Sequence, residues 1–317
     1  MEKSPVLAIV VPCYKEEAVL HEAHKRLTQL LDLLIAKGNI SPKSYILYVN
    51  DGSTDHTWSI IKDLHQNTPY ACGLNLAGNV GHQNALIAGL NAVKERCDAA
   101  ISIDADLQDD INVIPEMLER YREGCDIVYG VRQERKTDTF FKRTTALVFY
   151  RLMKLMGAKS VYNHADYRLM SSRAVRQLCR FRERNLYLRG LVPLIGYQTA
   201  CVYYNRDKRF AGESKYPFKK MLNFAIDGIT SFSVKPVRMI FWLGCIFILV
   251  AVCVTIWTLR AYFLHNAVPG WSSLMISLWL VGGAILVSLG IVGEYIGKIY
   301  IEVKDRPRYN EEELLLR

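Results

Sequence analysis

No two cysteines in the sequence are spaced as C-x-x-C, and none of the eight (Cys13, Cys72, Cys97, Cys125, Cys179, Cys201, Cys245, Cys253) has a histidine at metal-ligating spacing. This excludes a cysteine–histidine zinc module and a disulfide-stapled scaffold, and predicts reduced thiols in a core or against lipid in a cytoplasmic setting. The N-terminus lacks a basic region followed by an apolar core and a cleavage site, so no leader peptide is expected; "LAIVV" is too short for one and suits a first strand. Charge is nearly missing from one long stretch: between Val237 and Ile296 only Arg238, Arg260 and Glu294 are charged.

The rest of the chain is ordinary for a soluble domain, and 317 residues suggest a main domain with an appendage. The formal net charge of +9 calls for an anionic partner: nucleic acid, an anionic membrane surface or a phosphorylated substrate. A hydrophobic tail favours the last two, and no nucleic-acid-binding motif or aromatic platform supports the first, so no nucleic acid is expected.

Element order points to an α/β fold. "VLAIVVPCY" reads as a strand stopped by Pro12, and "HEAHKRLTQLLDLLIAKG" as a helix closed by Gly38. "SYILYVNDGSTD" is a second strand ending in a polar turn, followed by a helix from about Thr57 to Gln66. After "ACGLNLA", the stretch "GHQNALIAGLNAVKERC" has helical spacing and leads into the strand "AAISID". This alternation predicts a mainly parallel sheet covered on both faces, with ligands at the carboxyl ends of its strands. Three such ends carry polar clusters: Tyr14 to Glu17, Asn50 to Ser53, and Asp104 to Asp106.

Residues 140–156, "FFKRTTALVFYRLMKLM", interleave aromatics and aliphatics with Lys142, Arg143, Arg151 and Lys154; such a basic amphipathic helix either packs on the domain or lies at a membrane interface. Residues 217–235 have the same character. Two segments, about 237–259 and 272–296, are each long enough to cross a hydrocarbon core of roughly 30 Å. Lys235 and Arg238 precede the first, and Lys298, Lys304, Arg306 and Arg308 follow the second, whereas the connecting loop has only Arg260. The positive-inside rule then places both flanks, and the domain preceding them, in the cytoplasm. The expected organisation is a domain over 1–216, a juxtamembrane amphipathic helix over 217–235, and a two-helix anchor with a short basic tail over 236–317.

In "ISIDADLQDD", residues 101–110, a buried-looking strand ends in Asp104, Asp106, Asp109 and Asp110. Closely spaced carboxylates repel one another unless something compensates them. Either this is a solvated acidic turn, or Asp104, Asp106 and Gln108 converge on a hard cation. Mg²⁺ or Mn²⁺ would keep positions open for the oxygens of a diphosphate. Asp109 and Asp110 would begin the following turn and helix.

The stretches "VPCYKEE", "NDGSTD", "NVGHQNALIAGL", "DADLQDD", "ADYRLMSSR", "RFAGESKY" and "GEYIGKIYIEVKDRPRY" occur in this order, and together they resemble the membrane-bound polyprenyl-phosphate glycosyltransferases. The resemblance is to the bactoprenol glucosyltransferase branch of the inverting GT-A-fold enzymes, related to dolichyl-phosphate mannose synthase, and it covers essentially the whole chain. It implies a GT-A catalytic domain that moves a hexose, glucose above others, from a UDP-sugar to undecaprenyl phosphate at the bacterial inner membrane. It implies that Pro12, Tyr14, Glu16 and Asp51, with Asp104, hold the donor nucleotide, and that Asp104, Asp106 and Gln108 form the metal and diphosphate site. Arg132 and Arg143 match positions that grip the acceptor phosphate, and Arg209, Ser214 and Lys215 match a mobile loop near the phosphates. Asp166 matches the usual catalytic base, with Asp106 beside the reaction; yet a phosphate monoester is mostly a dianion at neutral pH and hardly needs deprotonating, so an orienting role stands as the alternative. A homotetramer is implied as well. Two departures are visible: Lys15 stands where the family has Asn, and Asp110 where Pro is common. The absence of a Gln-x-x-Arg-Trp motif and the small number of spans exclude a processive polysaccharide synthase. GDP-mannose, UDP-N-acetylglucosamine or a modified pentose as donor, and a silent membrane scaffold, are the competing expectations.

Overall fold

A computed structural model describes residues 4–106, 108–133, 164–184, 186–205 and 270–317, with isolated positions between 237 and 256. The first apolar runs form β1 (Leu7–Cys13), β2 (Tyr45–Asn50), β3 (Ala71–Leu76) and β4 (Ala99–Ser102), which pair in parallel in the order β3-β2-β1-β4. Helices α1 (Leu20–Ala36), α2 (Thr57–Asn67), α3 (His82–Val93), α4 (Ile114–Arg122), α5 (Ser172–Arg180) and α6 (Leu188–Leu191) connect and cover the strands. Residues of α1, α2 and α4 pack on one face of the sheet, and residues of α3, α5 and α6 on the other. With both faces covered, every residue of β1 is buried, which is why it reads as an unbroken apolar run and not as an alternating one. In α1, Leu20, Ala23, Leu27, Leu31 and Leu34 recur at helical spacing and are buried; each buried leucine contributes about 1.5–3 kcal/mol.

The sheet is mixed. Beyond β4 lie β5 (Ile127–Arg132), β6 (His164–Ser171) and β7 (Thr199–Tyr204); β6 runs antiparallel to both β4 and β5, while β7 is parallel to β5. Within the short tail expected after the second helix of the anchor, Glu311–Leu315 form β8, an antiparallel edge strand on β3, so the full order is β7-β5-β6-β4-β1-β2-β3-β8. Three successive glutamates disguised this strand, and an edge position tolerates them because one side faces water.

Two boundaries differ from expectation. Pro12 does not stop β1, which continues to Cys13. The Val10 carbonyl accepts from Ile103 N, so position 12 turns its nitrogen to that same side, where pairing with β4 has already ended at Val10; a missing N–H costs no ladder bond there. The last helix, α7 (Trp271–Val303), runs two turns beyond the expected span. Its segment Val281–Val303 is long and apolar enough to cross a membrane, the single such helix among the described residues, and Leu286, Leu289, Ile296 and Val303 are exposed on it. The basic helix at 140–156 and the helix at 217–235 lie outside the described residues, as does most of 237–259, whose described positions are helical.

Candidate active site

The carboxyl ends of β1 and β2 are tied into one platform. Asp51 N donates to the Cys13 carbonyl, Lys15 N to Ser53 Oγ, and Glu16 N to Thr57 Oγ1 at 3.0 Å. Lys15, where Asn is the familiar residue, has φ of 56°, a left-handed conformation that Asn adopts more readily than Lys. Pro12, Tyr14, Glu16 and Asp51 therefore share one end of the sheet, with the Tyr14 ring exposed. Asp51 itself is buried, and its two carboxylate oxygens accept from Val80 N at 2.7 Å and Gly81 N at 3.0 Å, which locks the loop entering α3. Burial raises its pKa, and those two backbone bonds hold it back.

Gly52 turns between these loops with φ of 59°, and a β-carbon there would sit 2.4 Å from Asn79 N and Gly78 C. Both atoms are backbone and cannot swing away. Gly52→Ala is therefore expected to destabilise the protein by about 2 kcal/mol or more, combining backbone strain with a forced shift of the Gly78–Asn79 loop; equilibrium unfolding in denaturant measures it.

The register of β4 on β6 brings the central carboxylates together. Ala99 pairs with Ser171 and Ser102 with Arg168, so the same alignment carried two residues further sets Asp104 across from Asp166. Ser102 Oγ donates to the Asp166 carbonyl and holds that alignment past the end of the ladder. Alternation along β6 puts Asp166 and Arg168 on one face, where Arg168 Nη2 donates to Asp166 Oδ1; Arg189 Nη2, from α6, donates to Oδ2 at 3.3 Å. His82, the first residue of α3, places Nε2 3.6 Å from Asp104 Oδ1 and 3.9 Å from Asp166 Oδ2. The close approach of α3 to the sheet makes this reach possible: a β-carbon on Gly89 would lie 2.4 Å from Val10 Cγ1.

The two carboxylates have opposite electrostatics. Burial pushes Asp166 up, but the guanidinium groups of Arg189 and Arg168, with His82, overcome it and hold the carboxyl well below the usual carboxylate range. Arg168 is fully buried, and its pKa falls because burial outweighs the attraction of Asp166. Asp104 retains 37% of its side-chain exposure, and its pKa is raised by burial and by Asp109, Asp166 and Asp106, against an opposing pull from His82. Negative charge is thus in surplus at Asp104. Among the described residues no three His, Cys, Asp or Glu side chains could hold a metal unaided. The set Asp104, Asp106 and Gln108 fits a cation that takes one or two carboxylates and completes its shell with substrate phosphates and water, as Mg²⁺ does. Gln108 N donates to Asp106 Oδ1, which keeps this turn tight.

Arg132 is not in this cluster. It pairs across the sheet with Tyr204, and that pair belongs to the face covered by α4. There Arg132 Nη2 donates to Asp109 Oδ1 at 3.1 Å and Nε to the Tyr204 hydroxyl, which in turn donates to Asp109 at 2.6 Å. Asp109 is accordingly buried and does not begin the next helix; Asp110 does, capping Asn112 N at the 3₁₀ turn Ile111–Val113 that leads into α4. Arg143, Arg209, Ser214 and Lys215 lie outside the described residues. Sequence reasoning missed His82, Arg168, Arg189 and Tyr204. A signal existed for Arg168, two residues from Asp166 on a strand, and for His82 at the start of a helix after a strand end; none existed for Arg189 or Tyr204, which reach the site through tertiary packing.

The chain is similar to proteins of a known family. Residues 8–179 match the family model "Glycosyl transferase family 2", and residues 235–299 match "GtrB C-terminal hairpin". The chain is 53% identical over 308 residues to the uncharacterized glycosyltransferase YkoT of Bacillus subtilis (strain 168), covering 97% of this chain and 91% of the relative. It is 39% identical over 308 residues to the prophage bactoprenol glucosyl transferase homolog of Escherichia coli (strain K12), covering 96% and 97%. Among solved structures, a mannosyltransferase from Pyrobaculum calidifontis in complex with GDP-Man and Mn²⁺ aligns with a TM-score of 0.45 at 15% identity, over 96% of this chain and 86% of that one.

Proposed function

The chain belongs to the bactoprenol glucosyl transferase branch of glycosyl transferase family 2, and from that premise we propose that it transfers glucose from UDP-glucose to undecaprenyl phosphate with inversion. The observation that carries the proposal is the placement of Asp104 and Asp166 opposite each other at the end of the sheet where the loops after β1 and β2 also converge. In this proposal Pro12, Tyr14, Glu16 and Asp51 border the uridine, and Asp104, Asp106 and Gln108 hold Mg²⁺ or Mn²⁺ against the diphosphate. A bound cation supplies Lewis-acid stabilisation of the departing UDP. The protein's own groups do the remaining work. His82 stands between the two carboxylates, within reach of both. Asp166, fixed by Arg168 and Arg189, orients the reacting groups and is a poor proton acceptor because those guanidiniums hold it ionised. Arg132, its fork pre-set by Asp109 and Tyr204, and Arg143 receive the acceptor phosphate, and Arg209, Ser214 and Lys215 close over the donor.

The exposed apolar surface of α7, and the match of residues 235–299 to a hairpin, support an anchor of two membrane-spanning helices with the catalytic domain on the cytoplasmic side. The basic stretches at 140–156 and 217–235 would lie on the membrane surface, where anionic lipid attracts them. A donor panel tests the assignment: purified full-length protein with undecaprenyl phosphate, a divalent cation and UDP-glucose, UDP-N-acetylglucosamine or GDP-mannose, scored by radiolabelled lipid. Glucose is the label expected in lipid. Transfer of another sugar corrects the donor, and no transfer from any of them favours a scaffold.

A further inference from the structure

The strand that follows the membrane helix reaches the donor platform through buried polar groups. A register shift between β3 and β8 falls beside Asn75, where Asn75 pairs with Glu313 and Leu76 with Glu311. The intervening Glu312 is the extra residue of this bulge, and a bulge re-aims a side chain. Its Oε2 accepts from Asn75 Nδ2 at 2.6 Å. Asn75 Oδ1 in turn accepts from Asn50 Nδ2 at 2.7 Å, and Asn50 Oδ1 accepts from Ser53 N at 3.4 Å. Ser53 Oγ then accepts from Lys15 N, between Tyr14 and Glu16. Asn50 and Asn75 are buried, at 1% and 8% exposure, in a sheet whose neighbouring positions are apolar. Two buried amides cost stability unless each finds partners, and Glu312 supplies the one that ends the chain. A second tie runs alongside: Ala77 N donates to the Asn310 carbonyl, fixing the start of the loop whose Val80 and Gly81 hold Asp51.

We propose that Glu312 is a positioning residue of the donor site, setting the β1 and β2 loops through Asn75 and Asn50, so that the segment after the membrane helix is part of the nucleotide site. The same segment is held to the opposite face of the domain: Glu302 accepts from Arg184 N at 2.6 Å, Arg308 donates to the Phe181 carbonyl, and Asn91 Nδ2 donates to the Tyr309 hydroxyl. The strand thus cannot leave β3 without disturbing the helix end. The proposal rests on the assignment of the β1 and β2 loops to the donor nucleotide.

Titration calorimetry of the full-length protein with UDP and Mn²⁺ tests it, together with KM and kcat for UDP-glucose and a thermal melt. Glu312→Ala is expected to raise the Kd for UDP and the KM about tenfold while kcat stays within about twofold. Glu312→Gln, which keeps an acceptor for Asn75, is expected to restore most of the affinity. Asn75→Leu breaks the relay one step nearer the site and is expected to repeat the effect, which guards against a misfolded Glu312 variant. A lowered melting temperature with UDP affinity unchanged in both Glu312→Ala and Asn75→Leu would overturn the proposal and leave the strand a purely structural edge. Failure of the wild-type protein to bind UDP would instead overturn the donor-site assignment, and the relay with it.

Discussion

Replacing Asp166 by asparagine is expected to lower kcat by about a hundredfold or more, with the same factor at every pH from about 6 to about 9. Asp166 is clamped by Arg168 and Arg189, and those guanidiniums hold it ionised far below the working range, so it has little affinity for a proton. The acceptor phosphate, with a second pKa near 6, supplies its own dianion. Asparagine keeps an oxygen for one arginine but removes the charge that fixes both. The loss is therefore geometric, and a geometric loss does not depend on pH. If Asp166 were a general base, the deficit would shrink as pH rises through the acceptor pKa, because the substrate would arrive already deprotonated. The pH profile of kcat for wild type and variant separates the two accounts. Breaking a buried pair can also cost about 3–5 kcal/mol of stability, so the comparison is made below the variant's melting transition.

Asp104→Asn is expected to act in opposite directions on stability and on activity. The folded-state pKa of Asp104 is raised, first by burial and then by Asp109, Asp166 and Asp106. Its contribution to stability is thus fully present below the ordinary carboxylate value and is lost as pH rises through the raised one. The folded environment disfavours the charged form of Asp104, and asparagine removes that charge. The metal-free variant is expected to melt at a higher temperature than wild type. Turnover is expected to fall by about 10²–10³-fold, the usual consequence of removing one charge-stabilising group from an active site. The thermal shift produced by Mn²⁺ with UDP should shrink with it; for wild type that linkage reaches about 2.7 kcal/mol when ligand is at a hundred times its Kd. A variant that melts lower than wild type without metal, yet responds fully to metal and UDP, would show that Asp104 is a structural carboxylate. Such a trade between stability and activity is common where function requires unfavourable charge.

The sequence revealed those parts of the fold that depend on local pattern. The buried runs of β1, β2 and β4 and the periodic faces of α1 and α3 are local signals, and each appears where the spacing placed it. Asp104 was recognisable because it ends an apolar strand. Its partner across the sheet depends on the antiparallel register of β6 against β4, which no local pattern encodes. His82 and Arg189 come from two other helices and meet Asp166 only after packing. Asp109 was misassigned to a turn because its burial depends on Arg132 and Tyr204, the latter 95 residues away. The last strand was missed because Glu311, Glu312 and Glu313 suggest a solvated tail, whereas the bonds of Glu312 to Asn75 and of Glu313 to Trp58 and Lys62 make them part of an edge.

The proposed reaction joins glucose to a lipid phosphate by single displacement. The measurement that addresses it most directly is the product of full-length protein incubated with UDP-glucose, undecaprenyl phosphate and Mn²⁺ or Mg²⁺, with UDP release and the anomeric configuration of the lipid-linked sugar followed together. Equimolar UDP and β-linked glucosyl lipid, dependent on both cation and acceptor, is the predicted result. An α-linked product, or UDP release that does not require the lipid, would contradict it.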